Sequence, residues 1–189
     1  LRDINFGGAR LLVRADRLDS VTIPRKGWAS TFRALESLDA LGADDEYTKI
    51  YWGGEKYGSR GRHTGFGGAE AGWSSGDLPL YDEFTLGGFA SMSGYEDREL
   101  RGQYLGLGRL GYYYRILKTW YLGGWAEAGN AWQLGEPIKF SNLRYSGTLI
   151  LAKDTLIGPL YVAYAHADGG RNKFYFILGR TVRTRNNLD

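Results

Sequence analysis

Three short stretches of this 189-residue chain carry residue types and spacings that could do chemistry. Residues 106–111 read GLGRLG, the G-x-G-x-x-G spacing of a loop that cradles a pyrophosphate. That spacing binds phosphate only after a buried strand and at the opening of a helix, where backbone amides and the helix dipole converge. Residues 72–76 read GWSSG, the G-x-S-x-G spacing that presents a nucleophilic serine, here Ser74, on a strand–turn–helix elbow. Glu96, Asp97 and Glu99 gather three carboxylates that could hold a divalent ion, such as those that bridge lipopolysaccharide. The two histidines, His63 and His166, lie far apart in sequence, and the chain has no cysteine. A disulfide framework and a thiolate or His-rich metal centre are therefore not expected, and no cofactor is implied.

The elements around these stretches decide what they do. GLGRLG lies between LRGQYL and YYYRILKTWYLGG, both crowded with strand-favouring residues, and nothing there promises a helix. It reads as a strand whose apolar parity slips from Leu105 and Leu107 to Leu110 and Tyr112, which implies a bulge near Gly108. Ser74 ends an alternating segment and runs into DLPLYDEF, a loop rather than a helix, and neither histidine can be placed beside it. The three acids, without defined geometry, read first as a solvated loop. His63 near a short turn and His166 near the last loop read as solvent or interface residues.

Period-2 alternation recurs along the chain. Ala9, Leu11, Val13 and Ala15 share a face opposite Arg10, Arg14 and Asp16, and Tyr145, Leu149 and Leu151 oppose Arg144, Ser146 and Thr148. Phe174, Phe176 and Leu178 share another side. Nine such segments are expected, near 7–18, 27–38, 46–58, 62–74, 103–116, 120–133, 143–153, 159–167 and 173–183. Tight links alternate with longer polar ones, as the turns and loops of an outer-membrane barrel do. Trp28, Trp73, Trp120 and Trp132 stand at segment ends, where interfacial girdles need aromatics. A soluble sandwich would turn its apolar face inward, and repeated arginines and glutamate on the polar face argue against it. With 29 Gly and 43% hydrophobic residues, disorder is not expected. A net charge of +3 from scattered basic residues argues against nucleic acid as a partner. The chain opens at Leu1 within patterned sequence, so it reads as a piece of something longer.

The longest connection, LPLYDEFTLGGFASMSGYEDRELRGQYLG, resembles the sixth extracellular loop of the surface-antigen barrels of the BamA and TamA superfamily. Phe84, Leu86, Gly87, Gly88, Gly94 and Tyr95 match its F-x-LGG-x-x-x-x-RGY pattern, and Ser93 stands where assembly and secretion members keep an arginine. Met92, Ser93, Gly94, Tyr95, Glu99, Leu100, Gly102 and Gln103 resemble instead the barrel of patatin-like autotransporters. RADRLDSVTIPRKG is similar to the family's link between two central strands. LGGWAEAGNAW is similar to its strand with a lumenal acid, here Glu127, and residues 156–182 resemble its closing hairpin.

The resemblance implies the C-terminal part of a sixteen-stranded, all-β transmembrane barrel, strands eight to sixteen, with upstream strands, POTRA module and passenger absent. It implies a long extracellular loop tucked into the lumen as a plug. Glu127 would find a cation there among Arg109, Arg115 and Arg144, or else be solvated. The implied function is a bacterial outer-membrane anchor or translocator for an upstream passenger, with a patatin-like phospholipase the leading candidate. An assembly factor or secretion pore is the alternative, and a barrel-embedded hydrolase using Ser74 and His63 a third reading. Implied partners are the bilayer and its lipopolysaccharide, the outer-membrane assembly machinery and a second copy at the barrel seam. The tail, residues 183–189, lacks the family's terminal aromatic.

Overall fold

The computed structural model describes residues 5–76 and 78–179. Eleven strands account for its regular structure, apart from three 3-10 turns: β1 (Gly8–Asp16), β2 (Gly27–Ser37), β3 (Tyr47–Arg60), β4 (His63–Ser75), β5 (Phe84–Leu86), β6 (Leu100–Gly102), β7 (Tyr104–Arg115), β8 (Trp120–Trp132), β9 (Arg144–Thr155), β10 (Gly158–Ala167) and β11 (Arg171–Leu178). Nine form one antiparallel sheet in chain order, β1-β2-β3-β4-β7-β8-β9-β10-β11, and β5 and β6 pair with each other. The nine long strands fall on the nine alternating segments. The ribbon of β5 and β6 was not expected, because three residues leave no readable period. Residues 180–183 of the last expected segment, and the tail, lie outside the described residues.

Each long strand divides its side chains between an outward and an inward face. Leu110, Leu149 and Phe176 point outward and are 74%, 68% and 75% exposed, as an acyl-chain surface requires. Their neighbours Arg109, Ile150 and Tyr175 point inward and are buried or half-buried. The apolar stripes are thus not packed into a dry centre. One outward row is nearly bare of side chains: Ser30, Gly54, Ala69, Gly108 and Ala128 face each other in register across β2, β3, β4, β7 and β8.

The expected bulge near Gly108 is absent. Gly108 pairs with Ala69 on one side and Ala128 on the other, and both ladders keep constant register through β7. The parity slip has another cause. Leu105 and Leu107 face inward against the long loop, whereas Leu110 and Tyr112 face outward. Apolar residues are wanted on opposite faces at the two ends of one straight strand.

The inward face carries more than the arginines and glutamate that alternation placed on it. Toward the long loops it carries an apolar cluster of Leu35, Tyr47, Tyr51, Leu105 and Leu107 with the loop's Phe84, Leu86 and Met92. Toward the short turns Tyr57, Tyr113, Tyr121, Trp125 and Tyr161 form an aromatic chamber. Between them lies a charged layer of Glu55, Glu70, Arg109 and Glu127, each buried. Gly111 admits this packing, because a Cβ there would sit 2.2 Å from the Phe66 ring. Trp132, expected in a girdle, is 4% exposed, its ring against Gly106 and its backbone against Gly102. Trp28 and Trp73 are exposed at 41% and 48%, as girdle residues are.

Candidate functional site

The connection from β4 to β7 folds back onto the inward face on the loop side of the sheet. Its stalk is the β5–β6 ribbon, in which Phe84 pairs with Gly102 and Leu86 with Leu100. Phe84 is buried where Gly72 lacks a side chain: a Cβ on Gly72 would meet the ring at 2.7 Å. The Lys49 ammonium lies 4.8 Å from the same ring and 2.7 Å from the Asp82 carboxylate. Gly102 abuts the Trp132 backbone, 2.4 Å from where its Cβ would be. The stalk's glycines are therefore matters of clearance.

The tip, residues 87–95, is ordered by its own backbone. Gly87 N–H donates to Ser91 O, Gly88 N–H to Tyr95 O, and Tyr95 N–H to Met92 O. The chain turns at Gly87, Gly88 and Gly94, with φ of 130°, 91° and 100°. Ala90 and Met92 also adopt positive φ, 60° and 64°, which costs a non-glycine residue about 1 kcal/mol each. The return is geometry: the successive amides of Met92 and Ser93 converge on one acceptor, the nest arrangement that holds anions. That acceptor is Glu127. Its Oε1 accepts from Met92 N–H at 3.2 Å and its Oε2 from Ser93 N–H at 2.9 Å, with the Ser146 hydroxyl also 2.9 Å from Oε2. Hydrogen bonds to a buried charge are worth about 1.5–3 kcal/mol each.

Neither expectation for Glu127 describes this seat, since it is 2% exposed and held by main-chain donors of the loop. Arg109 stands opposite Glu127 in register but makes its ion pair with Glu55, at 3.7 Å, and donates to Ala90 O at 3.0 Å. The arginine thus supports the loop tip through a carbonyl, while the carboxylate holds its amides. Arg115 sits at the turn-side end of β7, and Arg144 at the loop-side end of β9, opposite Gly129. Ser93 is fully buried, and its Oγ accepts from Ala90 N–H at 3.0 Å. Sequence reasoning missed this because backbone donors leave no residue-type signature.

The return leg of the loop is tied to β11. Glu96 pairs with Lys173 at 2.6 Å and Glu99 with Arg171 at 3.1 Å, so the acidic stretch is anchored to bases of β11. Tyr175 OH accepts from Gly94 N–H at 2.9 Å. Tyr95 is buried beneath the Arg171 guanidinium, 4.7 Å from its ring, and burial holds its phenol above the ordinary range. The loop tip thus touches β7, β8, β10 and β11 at once.

The profile of the Omp85 superfamily domain matches residues 9–182. The chain belongs to the Omp85 superfamily. It is accordingly a β-barrel protein of the bacterial outer membrane. Among solved structures, it is similar to BamA from Haemophilus ducreyi lacking POTRA domains 1–3, with a TM-score of 0.74 at 13% identity. That likeness covers 89% of this chain and 40% of the BamA chain, so the Omp85 segment spans well under half of that protein. No curated protein matches the sequence.

The other chemical candidates fall into place within the Omp85 wall. GLGRLG lies inside β7, hydrogen-bonded on both edges, and no helix follows it. Ser74 is buried near the loop-side end of β4, 3.0 Å from Gln103 O and 3.1 Å from its Oε1. His63 lies at the opposite end of that strand, against Tyr112 at 2.6 Å, so the two cannot form a catalytic pair. Gln103 is a functional residue of another kind. Its carboxamide accepts from Leu78 N–H at 2.8 Å and donates to Leu78 O at 3.2 Å, mimicking a strand partner where the loop departs. His166 is exposed beside Asn172.

Proposed function

We propose that this Omp85 segment belongs to a barrel that anchors an upstream passenger in the outer membrane and exports it when the loop leaves its seat. One observation carries the reading: the loop tip lies on the inward face, its Met92 and Ser93 amides on the Glu127 carboxylate. A loop tip whose two successive amides rest on one carboxylate loses that seat as a unit when the carboxylate goes. Closed backbone pairing makes the wall viable in lipid, and the seat decides whether the lumen is occupied. The passenger we favour is a patatin-like phospholipase, on the likeness of residues 92–103 to that barrel type. Hydrolysis would then belong to the upstream domain and not to Ser74. We assign the bilayer with its lipopolysaccharide, the assembly machinery during insertion and a second copy at the seam as partners.

The test uses the full-length protein. Cysteines at positions 93 and 146, both of which contact Glu127, are joined by a short bifunctional reagent, and surface display of the passenger is measured. Joining is expected to lower display at least tenfold. Display that is unchanged by a locked loop would overturn export through the lumen. A second reading, assembly of other outer-membrane polypeptides, is favoured by the fold shared with BamA. It predicts that the locked protein loses insertion of other barrels rather than display of its own passenger.

A further inference from the structure

The link between β1 and β2 enters the turn side of the inward face as a short tongue. Its base is closed: Asp19 N–H donates to Lys26 O at 3.1 Å, and the Asp19 carboxylate accepts from the amides of Arg25 and Lys26 at 2.8 and 3.0 Å. Residues 20–24 lie beyond this clasp and take no part in the sheet. Ile23 is 7% exposed and Pro24 is buried, both within the aromatic chamber. Tyr161 OH donates to Thr22 O at 3.2 Å, a contact made to the main chain and so indifferent to side-chain identity.

The chamber offers more than the tongue uses. Tyr113 and Trp125 line it, each 5% exposed, yet the Tyr113 hydroxyl and the Trp125 indole N–H have no hydrogen-bond partner. Buried donors without acceptors weigh against a resting state and favour any occupant that supplies carbonyls. The tongue leaves about 20 Å³ of residual space, room for one water at most. Its apolar fit is good and its polar fit is incomplete. An extended peptide presents a carbonyl at every residue, and proline packs well on aromatic walls.

We propose that this chamber is a binding site for an extended peptide segment bearing a branched apolar residue followed by proline, with residues 22–24 as its internal resting ligand. The inference rests on the reading that the barrel handles polypeptide. The chamber lies at the short-turn end of the inward face, the periplasmic side of such a barrel, where an exported chain arrives. Binding requires the tongue to swing out from its clasp at Asp19, so the incoming segment displaces an internal copy of itself.

The test is fluorescence anisotropy with the full-length protein in nanodiscs and a labelled peptide Ser-Val-Thr-Ile-Pro-Arg, the tongue's own sequence. Ile23→Ser, which weakens the internal competitor, is expected to tighten peptide binding about tenfold. The free peptide, unlike the clasped tongue, can shift until a carbonyl meets the Tyr113 hydroxyl, so adding Tyr113→Phe is expected to weaken binding about fivefold, while the temperature at which the folded gel band is lost stays the same, since the resting molecule loses no hydrogen bond there. No binding in the Ile23→Ser protein overturns the proposal. So does equal binding of a control peptide with serine in place of isoleucine and proline. A Tyr113→Phe protein that melts earlier but binds unchanged overturns it too, by making the residue merely structural. Passenger display is scored in parallel: intact display without peptide binding sinks the chamber and leaves export standing. Peptide binding in a protein whose display survives the locked loop supports the chamber and sinks export.

Discussion

The two ends of the inward face hold their inserts by different means. On the loop side, residues 84–102 add charged anchors to the apolar packing of Phe84, Leu86 and Met92: Glu127 on two amides, Arg109 on a carbonyl, Lys173 and Arg171 on two acids. On the turn side, the tongue is held by the fit of Ile23 and Pro24 among rings and by one hydrogen bond from Tyr161. A charged seat is strict in geometry and fails abruptly when one group is lost, because the partners stay buried without water. An apolar seat loses strength in proportion to the surface removed. One face thus carries a latch and a stopper, and each should be loosened without the other.

The largest effect is expected at Glu127. Glu127→Ala strands two amides and the Ser146 hydroxyl and should cost about 3 kcal/mol, against about half that for Glu127→Gln, which keeps one acceptor. Limited proteolysis within residues 78–100 reads the release, and a fully protected loop in the Ala variant would show that the carboxylate is not the latch. Gly87→Ala comes next. Its Cβ would lie 2.0 Å from Glu96 O at a φ of +130°, and the strain should cost about 2–3 kcal/mol, seen as the same cleavage pattern. Ile23→Ala should cost about 2 kcal/mol and expose residues 20–25 to protease while the loop stays protected. Simultaneous release of both inserts would erase the distinction between the two seats. Smallest is Ser74→Ala, which removes the contact with Gln103 for about 1 kcal/mol and should leave ester hydrolysis by the full-length protein untouched.

The strands were legible because period 2 is written directly into residue type: Leu149 and Leu151 against Ser146 and Thr148 need no partner to be read. The loop was legible through its resemblance, since Gly87, Gly88 and Gly94 occur where the backbone demands them. The seat was not. Glu127 and Ser93 are 34 residues apart, and the donor is an amide that any residue carries. The tongue was hidden for a similar reason, its bond to Tyr161 spanning 139 residues. The bulge misread at Gly108 came from assuming that apolar means outward, when the loop makes Leu105 and Leu107 apolar for the opposite reason.

The bare outward row has an electrical consequence. Gly54, Ala69, Gly108 and Ala128 are the immediate chain neighbours of Glu55, Glu70, Arg109 and Glu127, which point the other way. Along that row only peptide groups and methyls insulate these ions from hydrocarbon. A medium of low permittivity therefore lies within a few ångströms of them on the outside, while the seated loop shuts out water within. Their fields are poorly damped on both flanks, so each ion depends on its named neighbours far more than a charge beside open solvent would.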